Sequence, residues 1–281
     1  MAVHEKKLPK VLNLRPIPGK DLDGRKIPLG LFKPSYVGGF VGKTGSGKST
    51  ALLNMLQEYQ RSKTFDRYIL FSPSAEDDPK YKVIEWDDIH ENYTDNQMRA
   101  IVKKQDQDIK EFREYQEDIK LYNRLAKGAK LESFTRAEKI RLFKMMVGGE
   151  IIKPECEFGR EPYICVVFDD LGSSSAYSNN TKCFMNAMAC RCRHKNITML
   201  HATQHIYQIP RALRQQCGIM ALFKTKDHKL LKEIARENSS TVTEEEFINL
   251  FEAATEEKHD FLLCDFLNET FRKNYNNLLL L

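Results

Sequence analysis

Eight consecutive residues have the types and spacing needed to bind phosphate. The run from Gly42 to Ser49, GKTGSGKS, matches the pattern GxxxxGK[ST] in full. Glycines let the backbone wrap around phosphate oxygens where side chains would collide, and N–H groups at the start of a following helix attract the anion. We therefore expect Lys48 to reach the β- and γ-phosphates of ATP and Ser49 to ligate Mg²⁺. A plain glycine-rich turn is the alternative interpretation.

The whole loop is expected to contribute to nucleotide binding, with Thr50 near the α-phosphate. The apolar run 36–41 before the loop predicts a buried strand, and the spacing of apolar residues over 52–59 predicts a helix after it, which is the context such a loop needs. The expected nucleotide-binding residues are Gly42, Lys43, Thr44, Gly45, Ser46, Gly47, Lys48, Ser49 and Thr50.

Two adjacent acids follow a second apolar strand. Asp169 comes directly after the apolar run 164–168, where a nucleotide site needs a carboxylate that holds Mg²⁺ through water. Asp170 stands one residue further on, where a carboxylate can activate the attacking water as a general base. A helix or turn cap is the alternative role for Asp170. Glu is the usual residue at this position, and because Asp is shorter, water activation needs another group or a closed subunit interface.

The next predicted strand ends in Thr203 and Gln204. A glutamine there can hydrogen-bond the γ-phosphate or the water and so report whether ATP is intact; a buried amide satisfied by the backbone is the alternative. Four arginines flank this strand, namely Arg191, Arg193, Arg211 and Arg214. In ring-shaped ATPases one subunit supplies an arginine to the γ-phosphate bound by its neighbour. We take Arg193 as the first candidate for that role and Arg214 as the second.

Apolar strands alternate with helical spacing along the chain, which predicts an α/β fold with a mainly parallel sheet covered on both faces. The capping pattern Thr243–Glu246 marks the start of one helix. Strands are predicted at 36–41, 68–71, 163–168, 197–202, 219–223 and 261–266, and helices from Lys48, from near Asp95 and over 136–146, up to about 192, and over 227–236.

Two stretches depart from that alternation. Residues 1–35 are proline-rich without periodicity and are interpreted as an extended N-terminal segment. Residues 78–149 are densely charged and helical in spacing, which indicates an insertion within a nucleotide-binding domain at 36–281, either a lid or a subunit contact. The polar loop 172–180 is either a pore loop that faces DNA or a plain surface loop.

Composition narrows the possible classes. The chain has 281 residues with 41% hydrophobic and 30% charged content, as in globular proteins, and no apolar run near the ~20 residues that span a bilayer. Seven cysteines without a scaffold-like spacing favour free thiols in a reducing compartment, and no secretory signal is evident. Residues 191–236 hold ten Lys or Arg against two acids, more positive charge than the +5 of the whole chain. That window favours an anionic partner such as nucleic acid, with a solvated basic face as the alternative.

These motifs together carry a family resemblance. The order GKTGSGKST (42–50), YICVVFDDL (163–171), CRHKNITMLHATQ (192–204), IPRALRQQCGIMALFK (209–224) and a late FLLCDF strand resembles the genome-packaging ATPases of large DNA viruses, virophages and Polinton-type elements, within the FtsK–HerA superfamily. The resemblance covers about residues 36–266. Its first two motifs are generic to nucleotide-binding proteins, whereas the block 192–224 is more specific.

The resemblance implies a P-loop NTPase core of the RecA-like (ASCE) type, in which the Gln204 strand lies between the strands of Lys48 and Asp169. Carried over, Lys48 and Ser49 bind phosphate and Mg²⁺, Asp169 binds Mg²⁺, Asp170 is the base, Gln204 the sensor and Arg193 the candidate finger. The family also implies a homo-oligomeric ring of five or six subunits that threads double-stranded DNA into a capsid, in the host cytoplasm or a viral factory and in contact with capsid proteins. No membrane partner is implied.

Two other classes of nucleotide-binding protein are weighed against this motor. A small-molecule or nucleotide kinase with a phosphate-binding loop would need an acceptor pocket, and the adjacent Asp169 and Asp170 and the basic window disfavour it. A GTP-switched binding module would carry an [NT]KxD motif for guanine after the loop, and the sequence has none.

Overall fold

A computed structural model describes residues 24–172, 174–177, 183–238 and 242–280. Most of the extended segment predicted for 1–35, and part of the loop 172–180, lie outside the described residues. Within the described ranges, no helix combines the length and the apolar character needed to cross a membrane. All seven cysteines are free thiols.

The strands and helices alternate along most of the chain. The strands are β1 (Val37–Val41), β2 (Arg67–Phe71), β3 (Asp88–His90), β4 (Met146–Val147), β5 (Glu150–Ile151), β6 (Ile164–Asp169), β7 (Ile197–Thr203), β8 (Cys217–Phe223), β9 (Phe261–Asp265), β10 (Thr270–Lys273) and β11 (Asn277–Leu279). The helices are α1 (Lys48–Arg61), α2 (Asp95–Ala126), α3 (Arg136–Lys144), α4 (Phe184–Arg191), α5 (Arg211–Arg214), α6 (His228–Asn238) and α7 (Glu244–Ala254).

Nine of these strands form one sheet in the described part of the chain. Its order is β11-β10-β9-β8-β1-β7-β6-β2-β3. The six strands from β8 to β3 run parallel, and β9, β10 and β11 add an antiparallel meander at one edge. β7 pairs with β1 on one side and with β6 on the other, which is the order that the family resemblance implies.

Apolar residues cover both faces of this sheet, because successive side chains of a strand point to opposite faces. Phe40 joins a core with α1, which includes Leu52, Leu56 and Tyr59. Val41 joins the core on the other face with α2, α4, α6 and α7. The predicted α/β fold with a mainly parallel sheet and helices on both faces is confirmed.

The long helix α2 extends well beyond the sheet. At 1.5 Å per residue its 32 residues span about 48 Å. Its first turns, including Met98 and Ile101, pack on the main core, whereas Leu121 belongs to a separate small core with Phe134 and Leu142 of the α3 region. The predicted insertion 78–149 therefore contains one strand, β3, that belongs to the main sheet, and an arm with its own core. The domain boundaries themselves stay a prediction.

Several short elements differ from the sequence prediction. α3 ends at Lys144, and Met146 starts the two-residue strand β4, which pairs with β5 around a turn at Gly148 and Gly149. Both glycines have a positive φ, which suits the tight turn that closes this hairpin. The short strands β3, β10 and β11, at or next to the margins of the sheet, have three or four residues each and mix polar with apolar residues, so apolar periodicity did not predict them.

Gly38 tests how closely the central strands pack. A Cβ at this residue would lie 2.9 Å from both Ile219 Cγ1 and Leu200 Cδ2. We expect Gly38→Ala to lower the free energy of unfolding by about 1–3 kcal/mol, since the buried side chains of Ile219 and Leu200 must shift to make room for the methyl group. Urea unfolding measures this change. Gly159→Ala is the matched control because nothing lies within 4 Å of its Cβ position; equal unfolding midpoints for the two variants would contradict the packing.

Candidate nucleotide-binding site

The loop between β1 and α1 has a backbone that only glycine can supply at several positions. Gly45 and Gly47 have φ values of 75° and 98°, in the left-handed region that L side chains rarely adopt. At Gly42 a Cβ would lie 2.5 Å from Ser46 Oγ and 2.6 Å from Phe223 Cβ, so a side chain would force the loop open. These constraints give the loop a fixed, concave backbone.

The first turn of α1 is available to an anion. Gly47 occupies the N-cap position and has no side chain to cap the free N–H groups, and the first turn contains no acid. Unsatisfied N–H groups and the positive end of the helix together bind anions. Lys48, at the same helix start, is only 8% exposed, which adds a positive charge in a partly desolvated place.

Ser49 and Asp169 lie in direct contact. Ser49 Oγ donates a hydrogen bond of 3.0 Å to Asp169 Oδ2. Asp169 is 1% exposed, and its other oxygen, Oδ1, is buried without a hydrogen-bond partner. A buried carboxylate oxygen without a donor is costly unless a cation or ligand satisfies it. Hydroxyl and carboxylate oxygens are also the ligands that Mg²⁺ takes in proteins, so this pair fits a magnesium ion.

Asp170 and Gln204 form the second contact of the site. Gln204 Nε2 donates to Asp170 Oδ1 over 3.0 Å, and the Asp170 N–H bonds the Ala202 carbonyl of β7. Asp170 has a φ of 57° and is exposed. A non-glycine residue in the left-handed region stores strain, which in many proteins marks a functional position. The turn thus sends the Asp169 side chain into the protein and the Asp170 side chain towards solvent.

Two residues that sequence reasoning missed also reach Asp169. Tyr81 Oη donates to Asp169 Oδ2 over 2.8 Å, and Lys80 Nζ lies 4.0 Å from the same oxygen. Burial, followed by the charge of Asp169, raises the pKa of Tyr81 to about 12, so its hydroxyl is a donor at neutral pH. Both lie within 78–149, where the sequence shows charge and helical spacing but no recognisable motif, and no signal there pointed to the site.

A cavity of about 590 Å³ opens beside the first turn of α1. It is lined by Thr50 and Asn54 of the helix and by His259, Asn274 and Tyr275 around the β9–β10 hairpin. His259 Nδ1 lies 3.2 Å from the Ser46 carbonyl oxygen, so the segment just before β9 contacts the phosphate-binding loop. The cavity is large enough for a nucleoside.

The arginines considered from the sequence occupy different places. Arg193 is exposed in the 3-10 turn before β7. The length of β7, about 20 Å, separates it from Gln204. Arg193 therefore lies at the amino ends of the strands, whereas its own nucleotide site lies at their carboxyl ends. Arg191 is also exposed near those amino ends. Arg214, the second candidate, is 5% exposed and pairs with Glu233 at 2.8 Å and Glu237 at 3.0 Å. Its guanidinium therefore joins α5 to α6.

Acids from other parts of the chain neutralise part of the basic window. Lys195 pairs with Asp106, Arg211 with Glu237 and Arg236 with Glu244. Lys224 and Lys226, which follow β8, are exposed next to the phosphate-binding loop. The positive charge available to a partner is therefore smaller than the sequence count suggests and lies at both edges of the sheet.

No protein-family model matches the chain, and no curated protein matches it. Three solved structures of the genome packaging NTPase B204 from Sulfolobus turreted icosahedral virus 2 are similar. The complex with AMP has a TM-score of 0.54 at 12% identity, over 87% of this chain and 98% of that chain. The AMPPCP complex has a TM-score of 0.51 at 14% identity, over 87% and 98%. The ATP-gammaS complex has 0.51 at 13%, over 86% and 98%.

The similarity spans almost the whole of the viral NTPase, although few residues are identical. The described chain therefore has the P-loop NTPase fold, in the form seen in a viral genome-packaging NTPase.

Proposed function

We propose that this protein hydrolyses ATP to move double-stranded DNA, and that it packages a viral genome into a capsid as a ring of five or six subunits. The observation that supports the proposal is a pair of contacts at the carboxyl ends of the central strands β1, β6 and β7. Ser49 lies against Asp169, and Gln204 against Asp170, each at 3.0 Å. A phosphate-binding loop, a metal carboxylate, a second carboxylate and an amide are the groups that ATP hydrolysis needs.

Each side chain has a definite task in the proposed reaction. The loop Gly42–Thr50 and Lys48 bind the phosphates, and the nucleoside lies in the cavity beside Thr50 and His259. Ser49 and Asp169 hold Mg²⁺, which supplies charge neutralisation at the phosphates when it is bound. Asp170 accepts a proton from the attacking water, and Gln204 holds Asp170 or that water in line.

DNA movement is supported by the fold of a packaging NTPase and by exposed cations. Arg191, Arg193, Lys224 and Lys226 are exposed and suit contacts to phosphates or to a neighbouring subunit. We assign the trans contact to Arg193, because it lies at the edge opposite its own site and can serve only a neighbour. We further propose that 36–281 form one ATPase domain with the insertion 78–149, acting in the host cytoplasm or a viral factory and docking to capsid proteins.

Two substitutions separate binding from hydrolysis. We expect Lys48→Ala to abolish ATP binding and ATPase activity. Asp170→Asn should keep ATP binding and lower turnover by about 10²–10⁴-fold, because an amide cannot accept the proton. Binding of a fluorescent ATP analogue and release of free phosphate, with and without duplex DNA, measure both effects.

Lys153→Ala is the control for Lys48→Ala, since it removes an exposed lysine outside the phosphate-binding loop. Wild-type protein that transfers phosphate to a nucleoside instead of releasing it would show a kinase. Assembled protein that neither binds duplex DNA at low salt nor hydrolyses faster with it would overturn the motor proposal.

The trans role of Arg193 predicts complementation between inactive subunits. We expect Arg193→Ala alone to lose about 10³-fold or more in turnover, as for other arginine fingers. Mixed with Lys48→Ala subunits, it should regain part of the activity, because the intact loop of an Arg193→Ala subunit faces an intact Arg193 wherever a Lys48→Ala subunit is the neighbour that supplies it. Arg191→Ala serves as the rival variant in the same mixing experiment. Full activity of Arg193→Ala, or complementation by Arg191→Ala alone, would move the assignment away from Arg193.

A further inference from the structure

The segment after β2 folds back over the metal carboxylate. A 3-10 turn at Pro79–Val83 carries Tyr81, which is 3% exposed. Its hydroxyl contacts Asp169 Oδ2 at 2.8 Å and Ser72 Oγ, at the end of β2, at 3.0 Å. Tyr81 therefore links the end of one strand to the acid at the end of the adjacent strand.

Local contacts hold this turn in place. Asp78 occupies the N-cap position, and its side chain accepts a bond of 3.1 Å from the Lys80 N–H, with Pro79 at the first position of the turn. Trp86 Nε1 donates to the Tyr81 carbonyl oxygen over 2.8 Å. These contacts lie within the chain, so Tyr81 reaches Asp169 from a well-supported backbone.

Lys80 places a second cation next to the site. Its Nζ lies 2.9 Å from Asp78 Oδ2, 4.0 Å from Asp169 Oδ2 and 4.7 Å from the centre of the Tyr81 ring. The Lys80 side chain is 35% exposed, so it can change rotamer without disturbing the core. Asp169 Oδ2 also accepts the hydrogen bond from Ser49. The Lys80 ammonium is therefore close enough to the phosphate-binding loop to reach it by a change of rotamer.

The charges around Asp169 indicate what these two residues do. The neutral hydroxyl of Tyr81 fixes Oδ2 without cancelling the negative charge, and the buried Oδ1 has no partner. The Tyr81 hydroxyl therefore orients Asp169 for a cation, and because it is uncharged it does not replace that cation. A divalent cation at Asp169 would offset the attraction between this carboxylate and Lys80, which leaves Asp78, at 2.9 Å, and a terminal phosphate as the anions for the ammonium. An ammonium has three donors, so Lys80 can keep its contact with Asp78 and bind a phosphate oxygen as well.

We propose that Tyr81 and Lys80 complete the nucleotide site from within the same subunit. Tyr81 is a positioning residue that sets the Asp169 carboxylate for Mg²⁺, and Lys80 contacts the terminal phosphate of the bound triphosphate. The inference rests on the proposed ATPase function and adds to it a cation in cis, distinct from the arginine supplied in trans.

Ligand binding tests both roles without relying on turnover. For Tyr81→Phe, we expect binding of a fluorescent, non-hydrolysable ATP analogue to need about tenfold more free Mg²⁺ than in wild type, as when other groups that orient metal ligands are removed. For Lys80→Met, we expect about tenfold weaker binding of that analogue and unchanged binding of fluorescent ADP, because only the triphosphate has the contacted group.

Matched variants give the baseline. Lys82→Met removes an exposed lysine of the same turn, and Tyr207→Phe removes a hydroxyl that bonds only Glu233 among the described residues. Both should bind like wild type, and thermal unfolding confirms that all four variants are folded.

The positioning role would be overturned if Tyr81→Phe bound the analogue at the same free Mg²⁺ concentration as the wild-type protein. An equal change, or none, for the ATP analogue and ADP in Lys80→Met would overturn the phosphate contact. Wild-type protein that binds neither nucleotide would instead overturn the proposed function.

Discussion

The hydrogen bond from Ser49 to Asp169 depends on a single constraint, the parallel direction of the central strands. Parallel strands with right-handed crossovers all present their carboxyl ends at one sheet edge. β1 and β6 lie on either side of β7, so the phosphate-binding loop, the acid pair and Gln204 leave three neighbouring strands at one edge. Residues more than a hundred positions apart in the sequence, such as Ser49 and Asp169, meet for that reason and not because of local sequence.

The strands beneath the site form a rigid, dry support. The rings of Phe71, Phe168 and His201 stack across β2, β6 and β7, with centroids 5.3 Å and 4.7 Å apart. Complete burial lowers the pKa of His201 to about 3, so its imidazole is neutral and packs as an aromatic ring. Its Nδ1 lies 3.1 Å from the Tyr177 hydroxyl, which ties the segment after Asp170 to β7. The strand that carries the acid pair is therefore fixed by ring stacking with its neighbours, and the segment after the pair is fixed by the contact between Tyr177 and His201.

Helix α2 connects the two ends of the parallel strands. It starts after β3, at the carboxyl ends of the strands where the nucleotide site lies. By Asp106 and Arg113 it has reached their amino ends, where these residues pair with Lys195 and Glu161. Beyond that point it continues into the arm with the small core around Leu121. A single long helix is stiff because each turn is hydrogen-bonded to the next. The arm and the segment before β7 that carries Arg193 are thus fixed relative to the nucleotide site through one element.

The sequence by itself determined the phosphate-binding loop, the apolar strands, the capping box of α7 and the acid pair, because each is a local pattern whose physics acts within a few residues. It also led, through the family resemblance, to the position of the Gln204 strand. Only the tertiary structure decided that Tyr81 and Lys80 reach Asp169, that Arg214 is enclosed by Glu233 and Glu237, and that Asp106 neutralises Lys195 of the basic window. Those contacts join side chains from separate turns and helices, and no spacing along the chain encodes where such segments cross.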